Sequence, residues 1–340
     1  MTTGNEDGPG RKARAICFLT ARLGFPEPER FGISPYRHFF LFGARAPMTP
    51  WQPSLAFPNS LGVAWPLVSP DFPIAVCWAH KSANTTMLKW FLFQIGLLER
   101  AEREYPNQLH LFWYARSSAQ PDYADQCFRA LAGPVRKLTV KVVRDPARRA
   151  VSGFLHFVRD PTKGFREAWR DFLAWKWSRG RNATPTATFV DFLQFILDTS
   201  AAGRLHDPHF QPQWNAAQDP FIIQHLPLEN LATGLHQLEQ LCGLKASPLA
   251  ALSKSLHHST PERGSRWPRE AARLPLDTDR LKSLGTPRYE SLLDPSTLAL
   301  IGRAFAADYA AYATFYPLPI GAAAAPATVG SVPFTRRAAA

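Results

Sequence analysis

Apolar residues follow two rhythms along this chain, and the rhythm changes at short polar or proline-marked breaks. Phe72 to Trp78 is a continuous apolar run that gives way to small and polar residues, the mark of a buried strand. Met87, Leu88, Phe91, Leu92, Ile95 and Leu98 then recur at helical spacing, so the segment predicts a strand–loop–helix unit. Leu138, Val140, Val142 and Val143 form a second, β-branched run. It ends at Arg144-Asp145-Pro146, where a proline in the first turn suits a helix start. Phe189, Phe192, Leu193, Ile196 and Leu197 predict an amphipathic helix behind Thr188 as its N-cap. Phe221 to Gln224 predicts a third short strand, with a helix from about Leu228 to Leu241 after it. Leu298, Ile301, Phe305, Tyr309 and Tyr312 mark a closing helix. Strands that alternate with helices predict an α/β fold, with a parallel sheet covered on both faces. Ligands of such sheets sit at the carboxyl ends of the strands.

The ends of the chain read differently. Residues 1–12 are polar and Gly-rich and predict disorder. Residues 25–73 are dense in Pro, Phe and Trp, which predicts an irregular lead-in wrapped on the core. Residues 321–340 have the composition of a low-complexity tail. The expected division is an N-terminal extension over 1–71, a main α/β domain over 72–318 and a disordered tail over 319–340.

Composition narrows the classes. With 46% hydrophobic and 19% charged residues in 340, the chain can bury a core, and wholesale disorder is excluded. Four cysteines at 17, 77, 127 and 242 are too far apart for a CxxC site, which points to a reducing compartment. Neither a signal peptide nor an 18-residue apolar stretch is visible, so the expectation is a cytoplasmic protein without a transmembrane segment. The net charge of +12 calls for an anionic partner. Thirteen Lys/Arg against four Asp/Glu fall between Pro134 and Asn182, which suggests a surface for a polyanion.

Two loops carry candidate chemistry. After the first strand comes His80-Lys81-Ser82-Ala83-Asn84-Thr85-Thr86. Small residues let backbone N–H groups approach an oxyanion, the helix N-terminus adds partial positive charge, and Lys81 offers a mobile cation. This is not the Walker A pattern GxxxxGK[ST]. An ordinary βα loop with an N-cap Thr is the plain alternative. After the second strand, Arg144 stands at a strand end, where a guanidinium can grip a phosphate in two places. Ser152 lies two helical turns further on. Its plain alternative is a helix N-terminus with a surface ion pair.

Taken together, the loops resemble the two signature motifs of the sulfotransferases. Lys81, Asn84, Thr85 and Thr86 match the 5′-phosphosulfate loop, and Arg144 and Ser152 match the Arg-Asp-Pro…Ser pattern of the 3′-phosphate motif. Three further segments resemble the carbohydrate branch, which has Golgi membrane-bound and bacterial members. They are His209-Phe210-Gln211-Pro212-Gln213, Leu226 to Leu231, and Asp308 to Tyr312. The similarity covers about residues 72–316. His80 stands where the family often has Pro, and Asn84 where Gly or Ser is common.

The resemblance implies a P-loop-like parallel sheet flanked by helices, with 3′-phosphoadenosine-5′-phosphosulfate as donor, its bisphosphate as product and no metal. Residues Lys81, Ser82, Ala83, Asn84, Thr85, Thr86, Arg144 and Ser152 would bind the donor, with Lys81 at the bridging oxygen. The sulfuryl group would go to a hydroxyl or amine of the acceptor, a glycan or another anionic molecule, with no specific nucleic acid. A base must take the acceptor proton, and an imidazole suits that role near neutral pH. His209 leads because it lies in a matched segment, with His206 and His80 beside it; structural roles for these histidines stay open. Arg263-Gly264 resembles a pair that closes over the 3′-phosphate. Two readings compete: a P-loop nucleotide kinase, and a non-catalytic polyanion-binding protein.

Overall fold

The computed structural model describes residues 65–319, except 135, 163, 182–183, 204–206, 217, 255–266 and 269. Three strands form one parallel sheet in the order β1 (Ile74–Trp78), β2 (Leu138–Val143), β3 (Gln224–Pro227). Ile74 is in register with Leu138, and Val140 with Gln224. Every residue of β1 is buried, as expected for a strand covered on both faces. Residues 65–68 dock on this edge: Leu67 and Val76 exchange backbone hydrogen bonds of 2.8 and 3.0 Å, and Tyr123 Oη donates to Pro66 O.

Helices flank the sheet. The first cluster of apolar side chains gathers β1, α1 (Asn84–Gln94), α2 (Leu98–Glu104), α3 (Leu109–Ser118) and α4 (Tyr123–Ala132). Later in the chain, α8 (Leu231–Cys242) and α9 (Leu249–Leu252) join the same cluster. The second cluster gathers α5 (Pro146–Arg159), α6 (Arg166–Ser178) and α7 (Phe189–Ala201) with α10 (Thr278–Leu284), α11 (Pro295–Ala304) and α12 (Ala306–Ala311). Val140 and Val142 of β2 belong to the first cluster and Val143 to the second, as the pleat requires. The described helices include none long and apolar enough to cross a membrane.

Local rules account for the helix starts that matter. Asp145 caps α5, its carboxylate accepting from Arg148 N at 2.7 Å, and Pro146 opens the first turn. Thr188 caps α7 as the sequence suggests, accepting from Asp191 N at 2.9 Å.

Several boundaries differ from the sequence reading. The helix after β1 stops at Gln94 because Gly96, with φ 71°, turns the backbone left-handed, and Leu98 begins a new helix. The closing helix breaks at Phe305 into α11 and α12. The third strand is Gln224–Pro227 rather than Phe221–Gln224, and Asp219–Phe221 form a single 3₁₀ turn. Ile223 N–H already donates to Thr139 O of β2 at 2.9 Å, but the paired strand proper is more polar and ends in Pro227, which an edge strand tolerates.

Part of the cation-rich segment is buried or paired with acids. Lys141, Arg149 and Lys176 are buried, while Arg148, Arg179 and Arg181 pair with Glu290, Asp198 and Asp191. Trp169 is buried and Trp175 donates to Asp198, but Trp177 is 75% exposed. The described cysteines, Cys77, Cys127 and Cys242, are free thiols, and Cys17 lies outside the described residues.

Candidate active site

At the carboxyl ends of the strands a cleft of about 1520 Å³ opens between the two helical layers. Lys81, Ala83, Asn84, Thr85 and Thr86 line it from the first loop, and Arg144, Ser152 and His209 line it from elsewhere. One cavity thus collects residues that lie up to 128 positions apart along the chain. Ser82 is the exception. It is fully buried beneath the loop, and its hydroxyl donates to Gln213 Oε1 at 2.8 Å. His206 and the Arg263-Gly264 pair lie outside the described residues.

The loop is wound tightly. Lys81 and Ala83 have φ of 67° and 59°, left-handed values that side chains with a Cβ adopt at a cost of about 1–2 kcal/mol each. Bonds from other segments hold the winding. Arg144 Nη1 donates to Lys81 O at 2.9 Å, and Arg149 Nε donates to His80 O at 2.9 Å. Two arginines of the second motif therefore grip consecutive carbonyls of the first. No side chain caps α1, so its leading N–H groups are left for an anion in the cleft.

Charge in the cleft is set by burial. Burial, followed by the neighbouring charges of Arg144, Arg159 and Arg149, lowers Lys81 from 10.5 to about 8. Arg144 Nε is buried and has no hydrogen-bond partner among the described residues, while Nη2 reaches Tyr289 Oη at 3.4 Å. A buried guanidinium N–H without a partner is costly.

The histidines divide into two kinds. His209 Nδ1 lies 2.9 Å from Asp207 Oδ1, which also accepts from His209 N at 2.8 Å. A carboxylate on one ring nitrogen fixes the tautomer and leaves the other nitrogen to accept a proton. His80 packs against it with ring centres 4.2 Å apart. Burial, followed by the His209 and Arg149 charges, depresses His80 to about 3, so it stays neutral and is a weak base. Glu229 accepts from Tyr316 Oη at 2.5 Å and from Asp145 N at 3.4 Å, which makes it a brace beside the cleft.

Other lining residues went unremarked in the sequence. His156 and Arg159 follow Ser152 by four and seven positions on α5, so helical spacing from Ser152 pointed to both. His110, Tyr114 and Tyr289 come from distant segments with no local signal.

In comparison with known proteins, residues 66–316 match the model described as the sulfotransferase family. No curated protein and no solved structure matches the chain.

Proposed function

Since this chain belongs to the sulfotransferase family, a family of sulfuryl-transferring enzymes, we propose that it takes its sulfuryl group from 3′-phosphoadenosine-5′-phosphosulfate and passes it to a carbohydrate hydroxyl. The observation that carries the donor assignment is one contact. Arg144, the candidate 3′-phosphate ligand, bonds directly to the backbone of Lys81, the candidate phosphosulfate ligand, across the floor of a single cleft. The uncapped start of α1 beside the Arg144 guanidinium in the cleft lining is the kind of arrangement that a doubly phosphorylated nucleotide satisfies. The donor supplies a sulfuryl group on a good leaving group.

The chain's residues then divide the work. The N–H groups at the start of α1 and the Thr85 and Thr86 hydroxyls hold the 5′-phosphate. Arg144 and Ser152 hold the 3′-phosphate, which separates this donor from ATP. Lys81 neutralises the bridging oxygen as its bond to sulfur breaks. His209, fixed by Asp207, takes the proton from the acceptor hydroxyl as the new oxygen–sulfur bond forms. Placing two oxygens in line across the sulfur is the main task, as in phosphoryl transfer.

The carbohydrate assignment rests on the segments 209–213, 226–231 and 308–312. The test is transfer of labelled sulfate from the donor to a panel of polysaccharides and small phenols. Label is expected on at least one polysaccharide, and label on phenols alone contradicts the carbohydrate reading. On that acceptor, His209→Ala is expected to lower kcat by about 10²–10⁴-fold with bisphosphate affinity unchanged.

Lys81 also sets a pH dependence. It is charged below about 8. Above that value an incoming anion must restore the missing proton, so affinity falls with rising pH. Affinity for adenosine 3′,5′-bisphosphate is therefore expected to be level from pH 6.5 to 7.5, then to fall by up to about tenfold per pH unit above 8. Calorimetry in buffers of different ionisation enthalpy is expected to show proton uptake there. Flat affinity through pH 9.5 contradicts this assignment.

A further inference from the structure

Gln213 is 1% exposed and does not line the cleft. Even so, its side-chain amide touches both anion-binding segments. Oε1 accepts from Ser82 Oγ at 2.8 Å and from Arg144 N at 2.8 Å, while Nε2 donates to Arg144 O at 2.7 Å. Only this orientation of the amide serves both the N–H and the C=O of Arg144.

Gln213 is itself clamped. Lys141 Nζ donates to its backbone carbonyl at 2.7 Å, and Lys141 is held in turn by Asp219 at 2.7 Å. The next residue, Trp214, donates its N–H to Asp308 Oδ1 at 2.8 Å. The amide is therefore a fixed point, tied to β2 from behind and to both loops in front.

We infer that Gln213 is a positioning residue that sets the distance between the 5′- and 3′-phosphate subsites, working through Ser82 on one side and the Arg144 backbone on the other. This inference rests on the donor proposed above. A ligand that carries both phosphates spans both subsites at once, so its affinity depends on their spacing being fixed beforehand. A ligand with one phosphate does not depend on it in the same way. Ser82 then acts from below the loop as the peg that the amide holds, which accounts for a buried hydroxyl among residues that face the cleft.

The test compares calorimetric affinities of adenosine 3′,5′-bisphosphate and 5′-AMP for the wild type, Gln213→Met, Ser82→Ala and the double variant. Met keeps the volume and removes the amide. The quantity read is the ratio of the two affinities, because a merely structural role weakens both ligands together and leaves their ratio alone. In Gln213→Met the ratio is expected to fall by about tenfold, and in Ser82→Ala by about threefold. The double variant is expected to match Gln213→Met, because both changes break one chain of contacts. An unchanged ratio in Gln213→Met, or losses that multiply in the double variant, overturns the inference. Should Gln213→Met fail to fold, Ser82→Ala decides alone: a lowered ratio supports the inference and an unchanged one overturns it. A wild type that does not prefer the bisphosphate overturns the donor assignment itself, and this inference with it.

Discussion

Lys81→Ala is expected to lower turnover by about 10²–10³-fold, the loss seen when one fixed group facing developing charge is removed. The fold is expected to survive the change. Lys81 holds φ at 67°, and Ala meets the same Cβ penalty there, so no new backbone strain arises. What Arg144 grips is the Lys81 carbonyl, which the substitution leaves in place. Removing the amine also relieves crowding with Arg144, Arg159 and Arg149, whose charges add to burial in holding Lys81 at about 8. Lys81→Arg is not expected to rescue turnover, because a planar guanidinium cannot replace a compact ammonium in so tight a turn. Steady-state turnover beside a thermal melt checks this. A variant with full activity would exclude Lys81 from the chemistry.

Asp219→Ala is expected to have the largest effect on stability, about 3–5 kcal/mol, because it strands a buried charge. Lys141 is fully buried in the middle strand, and Asp219 is its partner at 2.7 Å. The same carboxylate accepts from Asn215 N and Tyr312 Oη and meets His225 Nε2. Burial alone raises its pKa, but the His225 hydrogen bond and the Lys141 charge outweigh burial and hold it at about 2. Because the folded pKa lies below the ordinary carboxyl value of 3.8, the pair's stabilisation is present above 3.8 and is lost as pH falls toward 2. Denaturant unfolding of Asp219→Ala against the wild type at pH 7 measures the difference. A loss under about 1 kcal/mol would mean that Lys141 finds another partner or sheds its proton.

The same carboxylate explains why β3 was misplaced in the sequence reading. Apolar content favoured residues 221–224, but Asp219 pins the chain in a turn and the strand begins at Gln224. By contrast, β2 and the start of α5 were legible because their signals are local: a β-branched run, then Asp-Pro at a helix start. The candidate site was legible for a related reason. Lys81 and Arg144 each stand at the end of a strand, and a parallel sheet brings strand ends together. The contacts that hold those residues were not legible. Gln213, Arg149 and Tyr289 act across 69 or more positions in sequence, and no spacing rule reaches that far. The run of cations shows the opposite case. Its sign is written in the sequence, but not which cations the fold buries, as it does Lys141, Arg149 and Lys176, or which pair with acids at the surface.

The central claim is that Lys81 and Arg144 form two halves of one nucleotide site that reads a 3′-phosphate. Titration of the purified protein with adenosine 3′,5′-bisphosphate, with ATP as the control, tests it without knowledge of the acceptor. Micromolar binding of the bisphosphate with little or no heat from ATP is the expected result. Equal affinity for both nucleotides, or no binding of the bisphosphate by folded protein, would contradict it.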